Sequence, residues 1–187
     1  MRSTYTCPTV SRALAVAPAA VLVVAAWGQA AGAAPPEFDP STLPVVGPFG
    51  DVTLNGTPQL TTGSITPFVV ADDSGTLNGW NVTMLVPDFR NGSGPDCSSG
   101  ATATLGASTL AMDAPVVAPA DGLTSMNGIA ATGYTDFTTA RTIVDAATGF
   151  GDGRYTISPA LLKLVVPASV YAGNYCTQAT IAISSGP

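Results

Sequence analysis

The chain has 187 residues, no histidine, six basic residues against twelve acidic ones, and only 10% charged beside 46% hydrophobic residues. Without histidine, the common general base of Ser and Cys nucleophile systems is missing, and no typical zinc set can be completed. The acidic balance argues against a nucleic-acid partner, whose phosphates are held by rows of Lys and Arg, and the scarcity of Glu and Lys argues against long surface helices.

Residues 1–33 read as a signal peptide. Arg2 and Arg12 form a positive n-region, Ala13 to Trp27 an apolar core, and Ala31-Gly32-Ala33 a small-x-small cleavage site. The core is about 15 residues, short of the roughly 20 that cross a bilayer, and Pro18 interrupts it. No transmembrane segment is therefore expected in the mature chain, which would start near Ala34. Cys7 precedes the apolar core and would leave with the leader. What remains carries four basic and twelve acidic residues, a formal net charge of −8. A chain of about 150 residues buries about 70% of its unfolded surface, enough for one domain.

Residues 34–47 are rich in proline, which fixes an extended backbone without donating hydrogen bonds, and read as a lead-in to a domain over 48–187. Strand-like segments then follow: Asp51 to Leu54, Ile65 to Ala71, Gly79 to Val86, Ala101 to Met112, Phe137 to Val144, Tyr155 to Val166 and Asn174 to Ile183. Alternation is clearest in Trp80, Val82, Met84 and Val86, and again in Tyr175, Thr177, Ala179, Ile181 and Ile183. Leu161 to Val166 is apolar apart from Lys163, and is compatible with a buried strand or a short helical turn. Turn pairs such as Asn78-Gly79, Asp121-Gly122, Asn127-Gly128 and Asp152-Gly153 tolerate positive φ. About seven to nine short strands so punctuated predict an all-β fold, a single antiparallel β-sandwich of immunoglobulin-like type. The loops Asn91 to Gly100 and Leu123 to Gly133 are expected to be exposed, where a sandwich usually carries its binding surface.

Catalytic motifs are absent or incomplete. Asp73-Ser74-Gly75 matches the aspartic-protease triplet, but that chemistry needs two carboxylates sharing a proton and no second copy exists. Asp72 and Asp73 could contribute oxygens to calcium, yet neither their turn nor Gly151-Asp152-Gly153 has the alternating acidic spacing of a calcium loop. No catalytic residue, metal or cofactor is assigned. The polar turn with Asp72, Asp73 and Asn78 stands as an exposed recognition candidate, while Trp80, heading an alternating strand, reads as core. Cys97 and Cys176 survive processing, and an even count in an exported protein favours one disulfide, about 4 kcal/mol in the chain-entropy account; two free thiols are the other arrangement.

Val70-Ala71-Asp72-Asp73-Ser74-Gly75-Thr76-Leu77-Asn78-Gly79-Trp80-Asn81-Val82 has the spacing of Val-x-Asp-x-Arg-Gly-Thr-x-x-Gly-Trp-x-Leu, and Val166-Pro167-Ala168 followed by Ala172-Gly173-Asn174-Tyr175 has that of a C-terminal partner motif. In both respects the chain resembles the WxL domain of Gram-positive cell-surface proteins. Val82 stands in place of Leu, Ser74 in place of Arg, and Ile181-Ala182-Ile183 in place of a second Trp-x-Leu. The resemblance assigns Gly79, Trp80, Val82, Tyr175, Ile181 and Ile183 to the family motif, with a structural or wall-binding role. It implies a β-sandwich that associates noncovalently with peptidoglycan or another cell-wall glycan and works beside other surface proteins in adhesion. Two functions follow as expectations: a non-enzymatic domain held at the cell wall or in a surface complex, or a structural subunit that binds another chain by strand-edge pairing.

Overall fold

The computed structural model describes residues 34–92 and 103–186, together with the backbone of Leu22–Ala25. In chain order the strands are β1 (Leu22–Ala25), β2 (Glu37–Phe38), β3 (Gln59–Ile65), β4 (Phe68–Asp72) and β5 (Trp80–Leu85). Then come β6 (Phe89–Asn91), β7 (Thr104–Leu105), β8 (Leu110–Met112), β9 (Val117–Pro119) and β10 (Ile129–Ala131). The last are β11 (Arg141–Ala146), β12 (Gly153–Ile157), β13 (Ala160–Val166), β14 (Tyr175–Cys176) and β15 (Thr180–Ser185). One 3-10 turn, Ala107–Thr109, interrupts them, and among the described residues no helix is long and apolar enough to cross a membrane. The all-β, sandwich-like architecture expected from turn chemistry and alternation is the one observed.

Among the described residues four sheets form, in the orders β1-β15-β5-β11-β10, β2-β4-β12-β9, β3-β13-β8 and β14-β6-β7. Proline explains why there are more and shorter strands than expected. β3 and β4 would run on as one strand but for Pro67, and β12 and β13 but for Pro159. The two breaks fall at the same level, since Ile65 pairs with Ala160 and Phe68 with Ile157. A residue without an amide hydrogen cannot sustain the ladder, so both strands pass from one sheet to the next together. Pro87 does the same between β5 and β6. Opposite it the C-terminal strand breaks between β14 and β15, where the Thr177 hydroxyl donates to the Pro87 carbonyl at 2.8 Å. The frame is thus two long antiparallel ribbons, 59–72 with 153–166 and 80–91 with 175–185, each bent at proline.

The inner faces of these ribbons share one core. Trp80, Val82, Met84 and Val86 are all buried, as are Ile181 and Ile183 on the neighbouring strand, and Tyr155, Ile157, Leu162 and Leu164 on the other ribbon. β13 alternates buried and outward residues along its length, which settles Leu161 to Val166 as a half-buried strand with Leu161 and Val165 exposed. Other expectations need correction. Asp51 to Leu54 contains only a bridged position at Val52. Phe137 is buried from a loop, and its strand begins only at Arg141. The proline-rich 34–47 lead-in packs onto the domain that follows: Glu37–Phe38 pairs with β4, Val46 bridges Ile65, and Phe38 packs edge-on against Phe68 with ring centroids 5.6 Å apart.

Candidate functional site

β5 starts where Gly79, at φ +77°, turns the chain out of the Asp72 to Asn78 loop and into the centre of a sheet. Trp80 is wholly buried there, paired with Ala146 of β11 on one side and Ser185 of β15 on the other. Its indole N–H donates to the Gly151 carbonyl at 2.9 Å, and its ring lies 5.6 Å from that of Tyr155 on the opposite ribbon. The Tyr155 hydroxyl in turn lies 3.1 Å from the carbonyls of both Ser125 and Asp152, placed to donate to either. Burial, with the nearby carboxylates of Asp152, Asp72 and Asp121, pushes the Tyr155 hydroxyl above its ordinary pKa and keeps it a donor. Two buried rings therefore hold the 121–127 and 149–153 loops from beneath.

Between those loops and the turn bearing Leu77 lies a cleft of about 480 Å³. Leu123, Phe150 and Leu77 stand exposed along it, Leu123 at 90%. Phe150 rests over Gly128, where a Cβ would come within 2.3 Å of the ring, so only glycine leaves it that seat. Leu77 has φ +53°, the single non-glycine residue of positive φ among the described residues, and its carbonyl accepts from the Gly149 amide at 2.7 Å. A leucine held there costs roughly 1–2 kcal/mol, a strain that the surrounding contacts must offset, and its apolar side chain lines the cleft wall.

The polar wall is built by Asp121. Its Oδ1 accepts from the amides of Leu123 and Thr124, each at 2.9 Å, and from the Thr124 hydroxyl at 2.8 Å. These donors, the Leu123 amide first, hold its carboxyl down to about 2. A depressed carboxyl contributes stability above its unfolded value near 3.8, and loses it as pH falls from about 4 through about 2. Side-chain carbon chemical shifts followed against pH should place the Asp121 midpoint near 2, and Thr124→Ala should raise it while the two amides keep it below 3.8. Among the described residues no Lys or Arg lines the cleft. Arg154 pairs with Asp39, Arg141 with Asp136 at 2.5 Å and Lys163 with Asp113 at 2.6 Å, none of them on the cleft wall. The arrangement suits a neutral ligand with both apolar faces and hydroxyl donors: hydrophobic walls carry it, and carboxylate and amide oxygens orient it.

The family-motif residues stand beneath this surface rather than on it. Gly79, Trp80, Val82, Tyr175, Ile181 and Ile183 are all buried. The two motifs meet, since Ile183 pairs with Val82 and Ile181 with Met84 across β15 and β5, although Tyr175 lies in another sheet, its hydroxyl on the Tyr171 carbonyl at 3.2 Å. Of the exposed turn candidate, Asp73 and Asn78 are exposed but do not line this cleft, and Asp72 is not exposed at all. It closes β4 as a buried residue whose Oδ1 caps the turn by accepting from the Ser74 amide at 3.1 Å. Cys176 is buried on β14, while Cys97 lies outside the described residues, as does most of the Asn91 to Gly100 loop. Among the described residues no cluster of three or more His, Cys, Asp or Glu could hold a metal. Phe150, Leu77, Asp121 and Tyr155 escaped the sequence reading as site residues; the one local signal was a phenylalanine set between the glycines at 149, 151 and 153, too supple a stretch to form core. The chain matches no known protein-family description and no curated protein. Fold and geometry together define an all-β domain with an open, apolar-walled, acidic cleft.

Proposed function

We propose that this is an exported, non-enzymatic domain held noncovalently at the cell wall, with wall glycan lying in the cleft over Phe150. The observation that carries it is the exposure of Phe150, Leu123 and Leu77 beside an ionised Asp121, whose Oδ2 accepts from the Thr124 hydroxyl at 2.9 Å and keeps a lone pair for a further donor. Sugar rings offer apolar C–H faces to the first set and hydroxyl donors to the second. The leader-like N-terminus and the WxL-like motifs support the same reading, the motifs by holding up the cleft rather than by touching the ligand. Purified secreted protein should sediment with isolated peptidoglycan, and Phe150→Ala should weaken that retention about tenfold, as loss of a central aromatic contact does. Retention no greater than that of an albumin control would refute wall binding.

The same proposal includes a Cys97–Cys176 disulfide, supported by the run of β6, paired to β14 at Arg90–Cys176, directly into the segment that bears Cys97. Nonreducing mass spectrometry of the secreted chain should find both cysteines resistant to alkylation, and reduction should destabilise the fold by up to about 4 kcal/mol. Two alkylated thiols would refute the bond.

A further inference from the structure

Each sheet must end in edge strands, and an uncovered edge offers unpaired backbone groups to any extended chain. In this molecule nearly all edges are blunted. β2, β7 and β14 are two residues long, β8 and β10 three, and β9 is three and ends in Pro119. β3 is long, but the segment before it covers its outer side: the Gly47 amide donates to the Ser64 carbonyl at 2.8 Å and the Gly50 amide to the Thr62 carbonyl at 3.3 Å. That leaves β15, six residues without charge or proline.

One side of β15 is paired along its whole length with β5, from Thr180↔Leu85 to Ser185↔Trp80. Among the described residues the other side is covered by β1 alone, in parallel register from Leu22↔Thr180 to Ala25↔Ile183. β1 pairs with no other strand, and its pairing is the sole parallel one among the described ladders. A parallel neighbour cannot come from a tight turn; here it comes from the opposite end of the chain, as a separate peptide would. β1 also lies inside the leader. Removing the leader uncovers an edge with none of the charges, prolines or bulges that keep edges from pairing.

We infer that β15 is a strand-acceptor edge: the leader occupies it before processing, and afterwards it takes an uncharged, aliphatic, extended segment of another exported chain, parallel to β15. An occupant in this register sets the residues matched to Ile181 and Ile183 on the core side, and the ladder binds the rest through backbone alone. The trans step rests on the leader being removed. It is separate from the cleft, and it places the second expected function, binding by strand-edge pairing, at one edge.

Amide exchange tests each part. In the full chain produced without export, V23P/V24P should speed exchange of the outward β15 amides about tenfold or more and leave those of β5 unchanged. In the secreted form a peptide of residues 19–28 should slow the same amides. The peptide N-methylated at alternate residues should fail to do so in one of its two phases. Equal exchange in the two full-length forms, or equal slowing by the peptide and both methylated versions, would overturn the acceptor edge. N-terminal mapping of the exported chain isolates the other premise. Retention of Leu22–Ala25 would refute leader removal and occupancy in trans, whatever the full-length comparison shows of the pairing itself.

Discussion

Trp80→Ala is expected to destabilise the fold by about 3–5 kcal/mol, a large part of the 5–15 kcal/mol that usually holds a domain together. The indole is wholly buried between β15 and β11 and against Tyr155, so its loss opens a cavity that two paired strands cannot collapse into. Trp80→Phe separates packing from hydrogen bonding. Phenylalanine keeps most of the apolar volume but leaves the buried Gly151 carbonyl without its donor, a loss of about 1–3 kcal/mol. The two variants should also differ in kind. Urea denaturation followed by circular dichroism should show the alanine variant with a far lower midpoint. Hydrogen exchange in the phenylalanine variant should rise chiefly at 149–153, the loop the indole holds in place, with peptidoglycan retention falling alongside. If Trp80→Phe left both exchange and retention unchanged, the indole would be core alone and no support for the cleft.

What could be read from the sequence and what could not divide along one physical line. Alternation reports which face of a strand is buried, and it placed Trp80, Val82, Met84 and Val86 in the core correctly. It also marked Tyr175, Ile181 and Ile183, all buried. Turn chemistry yielded the all-β class. Strand lengths failed where proline stood inside an apolar run, because Pro67, Pro87 and Pro159 act in concert with a partner strand whose register is invisible in one dimension. The burial of Asp72 failed for a related reason: a carboxylate that caps its own turn looks like any solvated acid. The cleft was the least legible part. Leu77, Asp121 and Phe150 come from three separate loops, and nothing local says that Gly128 leaves room for the Phe150 ring. The Leu123 to Gly133 segment was rightly expected to be exposed, although Ile129–Ala131 within it pairs as a strand, and its neighbours across the cleft depend on the Trp80–Gly151 contact.

Gly79→Ala should be nearly as damaging as loss of the tryptophan beside it, and for a reason that can be isolated. Two penalties coincide at this position. At φ +77° any L-residue is strained by roughly 1 kcal/mol, and a Cβ built there would lie 2.3 Å from the Ala146 carbonyl oxygen and 3.0 Å from the backbone of Ala147. That oxygen has little freedom to retreat, since Ala146 is tied into the ladder opposite Trp80 and Ala147 donates its amide to Gly128 at 2.9 Å. Gly79 itself is tied as well, its carbonyl accepting from the Gly186 amide at 2.9 Å while the Asn81 amide group donates to the Gly186 carbonyl at 2.7 Å. Gly75 supplies the control, with φ +62° in the same turn and nothing within 4 Å of an added methyl. Gly75→Ala should therefore cost about 1 kcal/mol, the conformational penalty alone, and Gly79→Ala about 3 kcal/mol or more, in parallel urea titrations. Equal losses at the two positions would mean that the backbone yields at Ala146, and that Gly79 is needed for its φ alone. A large gap would show that the glycine before Trp80 is there because β11 passes too close to admit any side chain, which is the constraint that sets the start of the central strand.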